Sequence, residues 1–220
     1  MPFVSLPRQA SVSSWFDTGA GRALLDAEQA GILNGLRGRP AQPWLWIGPT
    51  AFAAKRPALQ ARGIRLHPAS GAARFQGDLR CTLPLPLAAE SVQSIVLQHV
   101  PLNELELLLA ECERILMPGG RLWVYALNPF SPYRLRWRRH GPQVLQPLRW
   151  RALVHGAGLR CLGQAGYLGA TWRVEAGPDA ESPGSAPWRA VCVIEAEKRV
   201  IAPVGPIPAV VNWRRPVATI

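Results

Sequence analysis

An apolar stripe at helical spacing is the first regular pattern along the chain. It predicts a helix over residues 18–36, and its members are Ala23, Leu24, Ala27, Ala30 and Ile32. Thr18 suits the N-cap position, and Gly38 with Pro40 ends the pattern. Trp15 and Phe16 come just before the helix, so we expect them to pack onto the body of the protein.

Beyond residue 40, short apolar runs alternate with longer segments of helical spacing. The predicted strands cover residues 43–48, 63–67, 74–78, 92–99 and 121–127, and the predicted helices cover residues 51–61 and 103–116. Such alternation predicts parallel strands joined by right-handed crossovers. The helix over 103–116 ends at Pro118-Gly119-Gly120, which lets the chain reverse tightly and re-enter the sheet.

The last third of the chain has a different pattern. A helix is predicted over residues 147–155, followed by strands over 159–168 and 188–198 that are separated only by a Pro/Gly/Ser-rich loop over 177–187. Two strands joined without a helix are expected to pair antiparallel. The predicted fold is therefore α/β, with a mostly parallel central sheet, an antiparallel C-terminal strand pair and helices on both faces.

The same patterns divide the chain into three segments. Residues 1–40 are predicted to form an N-terminal helical extension, residues 41–200 the main domain and residues 201–220 a proline-rich irregular tail. No run is long enough to span a membrane, and the N-terminus lacks the pattern of a secretory signal. The four cysteines contain no CxxC pair, so we expect reduced thiols, no metal site and a cytoplasmic protein.

Positive charge is concentrated in one part of the chain. The formal net charge is +11, and residues 114–174 contain ten arginines but no Asp or Glu. This distribution would attract nucleic acid or another anionic partner. Tyr133 and Trp137 interleave with four arginines, a pattern that suits base stacking and backbone contact; the arginines are Arg134, Arg136, Arg138 and Arg139. An amphipathic helix that covers the domain explains the same pattern.

Several stretches resemble a known family. They are Gly77-Asp78-Leu79, Leu83-Pro84-Leu85, residues 91–100 and residues 109–122 with the Pro118-Gly119-Gly120 turn. Together they resemble the middle of the Rossmann-like, type 11-like S-adenosylmethionine (SAM)-dependent methyltransferases. The likeness covers roughly residues 15–200. A bacterial subgroup of that family also resembles this chain at Trp15-Phe16-Asp17-Thr18 with Gly21, Leu24, Leu25 and Glu28, and at Asn128-Pro129-Phe130-Ser131.

The resemblance implies methyl transfer from SAM to an unidentified acceptor. The cofactor would lie over the carboxyl ends of the first, second and fourth strands, and the implied contacts are Gly48, His67, Asp78, Leu79, Gln98 and His99. The acceptor would enter on the side of Asn128, Tyr133, Arg134 and Arg136. For Asp78 a turn-capping role is an alternative, for His99 a purely structural one, and for His67 that of a satisfied surface histidine.

The sequence also departs from the family at the cofactor loop. The first strand ends in Ile47-Gly48-Pro49-Thr50, where the family has a glycine-rich turn, and Pro49 has no N–H to offer a ligand. His67 stands where the family places an acidic residue. These departures support an alternative hypothesis. In it, the chain is a catalytically inactive relative that binds nucleic acid or another partner through its arginine-rich segment.

Overall fold

The computed structural model describes residues 15–38, 42–49, 62–69, 74–138, 143–169, 184 and 186–199. The helices are α1 (Gly19–Arg37), α2 (Leu105–Ile115), α3 (Arg134–Trp137) and α4 (Pro147–Gly156). The strands are β1 (Trp44–Ile47), β2 (Gly63–Pro68), β3 (Phe75–Gly77), β4 (Val92–Gln98), β5 (Leu116–Leu127), β6 (Leu159–Leu168) and β7 (Val191–Lys198). The helix predicted over 51–61, most of the loop over 177–187 and the tail over 201–220 lie outside the described residues.

The strands form one sheet in the order β3-β2-β1-β4-β5-β7-β6. β2, β1, β4 and β5 run parallel, whereas β7 is antiparallel to both β5 and β6. This confirms the predicted fold class, including the antiparallel C-terminal pair. Ile47 of β1 is level with Leu66 of β2 and Leu97 of β4, so the parallel strands end at one common side, called here the carboxyl edge.

The sheet packs against helices on both faces. Trp44 and Trp46 of β1 belong to a core shared with α1 and α3, while Leu45 and Ile47 belong to the core shared with α2 and α4. This alternation follows from the two-residue period of a strand. The Thr18 hydroxyl accepts a hydrogen bond from the Gly21 N–H at 3.2 Å, which confirms it as the N-cap of α1.

β3 departs from the expected parallel arrangement. It runs antiparallel to β2, with Phe75 opposite Pro68 and Gly77 opposite Leu66. Only residues 69–74 separate the two strands, whereas a parallel crossover needs about a dozen residues or more. The connection is therefore long enough for a hairpin and too short for a helix.

β5 begins earlier than the predicted residue 121. The chain passes from α2 directly into Leu116, which pairs with Val92, and the next pair joins Ser94 to Arg121. The intervening Pro118-Gly119-Gly120 forms a bulge, in which Gly119 has a φ of +72° that glycine tolerates best. Among the helices that the structure describes, none combines the length and apolar character needed to cross a bilayer.

Candidate functional site at the carboxyl edge

A buried network of four polar side chains lies at the carboxyl edge on the α1 face. The Trp46 indole N–H donates to Gln98 Oε1 at 3.1 Å, and Gln98 Nε2 donates to Glu28 Oε2 at 2.6 Å. His99 Nε2 lies 2.7 Å from the other carboxylate oxygen of Glu28. Each of these side chains is buried, and Glu28 is fully excluded from solvent.

Glu28 reaches this position because it lies on the buried face of α1. Leu24 precedes it by four residues and Ile32 follows it by four, so one helical stripe carries all three toward the sheet. A carboxylate in such a setting is strongly destabilising unless hydrogen-bond donors surround it. Gln98 and His99, at the carboxyl end of β4, supply those donors and so connect β4 to α1.

The negative charge of Glu28 acts on its buried neighbours. Burial, and to a lesser extent the Glu28 carboxylate, raises the pKa of the Tyr125 phenol. Burial above all, with Glu28 as a smaller contribution, raises the pKa of the Cys192 thiol to about 12. Both groups therefore stay protonated, and Glu28 and His99 are left as the ionisable pair of the network.

The turn before α1 covers His99. The Phe16 ring stacks on the His99 ring with centroids 4.5 Å apart, and Trp15 packs edge-on against Phe16 at 4.8 Å. The Thr18 N–H and hydroxyl both donate to the Trp15 carbonyl, at 3.0 and 2.7 Å, and close the turn. Gly21 permits this approach, because a Cβ there would lie 2.4 Å from the Trp15 oxygen.

A cleft opens beside the network, between the ends of β4 and β5. It holds about 320 Å³ of empty space, including its open mouth, and its described walls are Phe16, His99, Val100, Leu102, Ala126, Leu127, Gln143, Val144, Leu145 and Trp150. None of these residues other than His99 is ionisable. His99 Nδ1 and Trp150 Nε1 are buried and have no hydrogen-bond partner in the described part of the chain.

His99 also has an uncommon backbone conformation. Its φ is +48°, in the left-handed region that non-glycine residues seldom adopt, and its N–H donates to the Tyr125 carbonyl at 2.8 Å. Such conformations persist where the surrounding structure imposes them, often at functional sites. The strain and the unpartnered nitrogen thus coincide in one residue of the cleft wall.

The predicted cofactor contacts are distributed unevenly. Gln98 and His99 lie together at the carboxyl edge, and His67 is half-buried near the end of β2. Burial, followed by the nearby Arg65 charge, lowers the pKa of His67. The Gly48 N–H donates to the Leu66 carbonyl at 3.0 Å and is therefore engaged in the sheet.

Asp78 and Leu79 follow β3 and have their own partners in the fold. The Asp78 carboxylate accepts a hydrogen bond from the Arg65 N–H, and the Asp78 N–H donates to the Arg65 carbonyl, both at 2.9 Å. Because β3 is antiparallel, its last residues point toward the amino end of β2. Leu79 packs against the core of the α2 face. The structure therefore pairs Asp78 with the backbone of Arg65, one residue before Leu66 at the carboxyl edge.

The residues predicted on the acceptor side separate into buried and exposed groups. The Asn128 amide donates to the Pro187 and Arg189 carbonyls at 2.6 and 2.8 Å. The buried Tyr133 hydroxyl donates to the Ala20 carbonyl at 3.3 Å, and the Arg136 guanidinium lies 5.5 Å from the Tyr133 ring centre. Asn128 and Tyr133 thus hold loops onto the domain, while the Arg134 and Arg136 side chains face solvent.

Four aromatic or acidic residues of the site were not among the predicted contacts: Phe16, Glu28, Trp46 and Trp150. Glu28 and Phe16 occur in the N-terminal stretch that resembles the bacterial subgroup, but that likeness assigned no role to them. The available signal was a carboxylate on the apolar face of a predicted helix, which needs a partner. No comparable signal marks Trp150, because a tryptophan on a helix is most often core.

The strand order, the reversed β7 and the helices on both faces define a Rossmann-like methyltransferase fold. No family model matches the chain, and no curated protein matches it. Solved structures do resemble it. One is a SAM-dependent methyltransferase from Archaeoglobus fulgidus, with 11% identity and a TM-score of 0.57, covering 84% of this chain and 98% of that one.

Two further solved structures resemble the chain to a similar degree. One is a chain from the Haloferax volcanii complex of the Trm112 methyltransferase activator with a methyltransferase, with 16% identity, a TM-score of 0.55 and coverage of 89% of this chain and 100% of that one. The other is a SAM-dependent methyltransferase from Thermotoga maritima, with 15% identity, a TM-score of 0.53 and coverage of 84% and 94%. At these identities the likeness shows the fold.

Proposed function

We propose that the chain transfers a methyl group from SAM to an acceptor bound in the cleft beside His99. The observation that carries this proposal is the cleft itself. It lies at the carboxyl edge of the parallel strands, where open α/β sheets bind ligands, and its walls contain two buried polar atoms without partners among the described residues. The neighbours of the same fold that are named SAM-dependent methyltransferases support the choice of reaction.

The described residues fit this cofactor in part. His67 stands at the end of β2, and its lowered pKa favours the neutral ring, which can accept a hydrogen bond from a ribose hydroxyl. The Gly48 N–H is engaged by Leu66, and Asp78 is engaged by Arg65. We therefore expect SAM to be held at the ends of β1 and β2 through fewer polar contacts than the family resemblance implies.

When bound, the SAM sulfonium supplies an electrophilic methyl group, so the protein has only to align the acceptor and exclude water. Phe16 and Trp150 suit that role because both are buried large aromatic side chains in the cleft wall. The network of Trp46, Gln98 and Glu28 fixes the His99 ring that forms another part of the wall.

Isothermal titration with SAM and with S-adenosylhomocysteine tests the proposal. We expect heat of binding and a rise in thermal midpoint with both compounds, because a ligand that binds only the folded state stabilises it. The His67→Ala variant should bind more weakly, and Arg160→Gln, an exposed change on β6, should bind like the parent. Well-folded protein that shows neither heat nor a thermal shift would overturn the proposal.

A second activity, binding of an anionic partner, is supported by a different surface. Arg134, Arg136 and Arg138 are exposed on and next to α3, beside the exposed apolar side chains of Phe130 and Leu135. Exposed arginines with apolar neighbours suit contact with a nucleic-acid backbone and its bases. This surface is compatible with methyl transfer in the cleft, so the two activities do not exclude each other.

A further inference from the structure

We propose that His99, positioned by Glu28, accepts the proton of the methyl acceptor, and that the acceptor is a small uncharged aromatic molecule with an acidic O–H or S–H group. This inference rests on the proposed function, since it assigns the cleft to the acceptor of that reaction. It adds a proton-accepting residue, a positioning residue and a substrate class.

The hydrogen bond to Glu28 determines which nitrogen of His99 carries the proton. Nε2 lies 2.7 Å from a carboxylate oxygen, so Nε2 donates its hydrogen and the neutral ring keeps a bare lone pair on Nδ1. That Nδ1 atom is buried and has no partner among the described residues. The lone pair on Nδ1 is therefore able to accept a proton from a bound molecule.

Glu28 stabilises the protonated form of the ring in a buried place. Its carboxylate already faces Nε2, so an imidazolium formed by proton uptake at Nδ1 would have its counter-charge within hydrogen-bond distance. Gln98 fixes the carboxylate, and Trp46 fixes Gln98. Among the described residues, Tyr125 of β5 and Cys192 of β7 also sense Glu28. Their pKa values are raised, so both keep their own protons and do not accept the proton of the acceptor.

The cleft walls indicate the chemistry of the acceptor. Apart from His99 they are apolar or aromatic, with Gln143 as the remaining polar side chain, so a phosphate or a carboxylate would find no counter-charge among the described residues. Trp150 Nε1 offers a donor and His99 Nδ1 an acceptor, and neither has a partner in the described part of the chain. A phenolic hydroxyl can satisfy either atom, because it donates one hydrogen bond and accepts another.

The proton transfer involves only the acceptor and His99, and it needs no oxidant or reductant. The O–H or S–H bond of the acceptor breaks, its electron pair stays on the oxygen or sulfur, and the proton binds His99 Nδ1. The ring becomes an imidazolium whose Nε2–H still donates to Glu28. The anionic oxygen or sulfur is then the nucleophile that a methyl group needs.

Nitrogen-15 NMR of the imidazole rings tests the tautomer without any cofactor. The protein has four histidines, and the signal that disappears in the His99→Asn variant belongs to His99. Asparagine preserves the left-handed backbone at this position, because it tolerates that conformation. We expect the neutral His99 ring to carry its hydrogen on Nε2 and none on Nδ1. A signal showing hydrogen on Nδ1 in the free protein would overturn the proposal.

Binding of 4-nitrophenol tests the proton acceptance, since its ionised form is coloured. Bound to the protein at fixed pH, the probe should be more ionised than in solution, and Glu28→Gln and His99→Asn should lower its bound ionised-to-neutral ratio roughly tenfold, equivalent to one pKa unit. Arg160→Gln is the control and should not change the ratio. An unchanged ratio in His99→Asn, or a parent protein that does not bind the probe, would overturn the proposal.

Calorimetry with SAM separates the two ideas. Heat with SAM together with an unchanged ratio in His99→Asn would defeat the proton acceptor and leave methyl transfer standing. No heat with SAM, together with an ionised bound probe, would defeat methyl transfer while the proton-accepting cleft stands.

Discussion

Gly21 lies where the first turn of α1 touches the backbone of Trp15 and Phe16. A Cβ at this position would lie 2.4 Å from the Trp15 oxygen and 2.6 Å from the Phe16 Cα, and both atoms belong to backbone that cannot easily move. We expect Gly21→Ala to lower the free energy of unfolding by about 1–3 kcal/mol, the usual cost of overpacking, as measured by urea denaturation.

Gly19→Ala is the matched control, because a Cβ there meets no atom within 4 Å. It should be neutral or should raise the free energy of unfolding by up to about 1 kcal/mol, since alanine restricts the unfolded chain. Equal losses of stability in the two variants would show that the Trp15 contact does not hold the turn.

At the scale of single residues, the sequence predicted local roles better than long-range ones. Thr18 was predictable as a cap because N-capping depends on neighbours within one turn. The role of Glu28 depends on Gln98 and His99, which are far away in sequence and meet it only in the fold. Asp78 was predicted as a cofactor contact, and its position depends on the direction of a whole strand.

The hairpin of β2 and β3 is the element that sets the position of Asp78. The Asp78 carboxylate accepts a hydrogen bond from the Arg65 N–H of β2. Asp78→Ala should lower the free energy of unfolding by about 0.5–1.5 kcal/mol, the usual net value of one hydrogen bond. It should leave the calorimetric affinity for SAM unchanged, because the backbone of Arg65 already engages the Asp78 carboxylate. A large drop in SAM affinity at unchanged stability would contradict this placement.

Strand positions were predictable from apolar runs, whereas strand direction was not. The segment over 74–78 has the composition of a short strand whichever way it runs, and only the shortness of residues 69–74 indicates a hairpin. The early start of β5 has a similar cause. The Pro118-Gly119-Gly120 turn suggested a break, but the bulge opposite Gln93 keeps the chain within the sheet.

α2 holds the loop before β4 through Glu111 and Arg114. Glu111 Oε2 accepts the Leu85 N–H at 2.9 Å and the Arg114 Nη2–H at 2.8 Å, and Arg114 donates to the Leu85 and Leu87 carbonyls. The hydrogen bond from Arg114 lowers the pKa of Glu111 most. Burial opposes the shift, and the Leu85 N–H and the Arg114 charge add to it.

Because the folded pKa of Glu111 lies below its ordinary value of 4.5, the unfolded chain binds more protons as the pH falls through that range. The stability that Glu111 contributes is present above pH 4.5 and disappears as the pH falls through the pKa of the folded state.

Urea titrations above and below pH 4.5 should therefore show a smaller acid destabilisation in Glu111→Gln than in the parent. Glu106→Gln, at an exposed position of α2, is the control for loss of a carboxylate from the same helix. Equal destabilisation in parent and Glu111→Gln would contradict the assignment.

Across the whole molecule, charge and the ligand cleft are separated. The chain has a formal net charge of +11, yet the described walls of the cleft contain no arginine or lysine. The exposed arginines of α3 and its C-cap project from the surface instead. A basic surface would therefore attract an anionic macromolecule from a distance, while the cleft selects an uncharged small molecule.

This separation predicts how RNA binding depends on salt. If the arginine surface contacts phosphates, the logarithm of the association constant for a single-stranded RNA should fall linearly with the logarithm of salt concentration. Changing Arg134, Arg136 and Arg138 together to Gln should reduce that slope by up to about 2, at roughly 0.7 for each phosphate that is no longer neutralised. Fluorescence anisotropy with a labelled oligonucleotide gives the slope.

The control variant changes the exposed Arg37, Arg62 and Arg80 to Gln, which removes the same number of charges from other parts of the surface. Equal slopes in the two triple variants would mean that net charge alone draws the RNA, because a defined binding surface releases fewer counterions only when its own arginines are replaced.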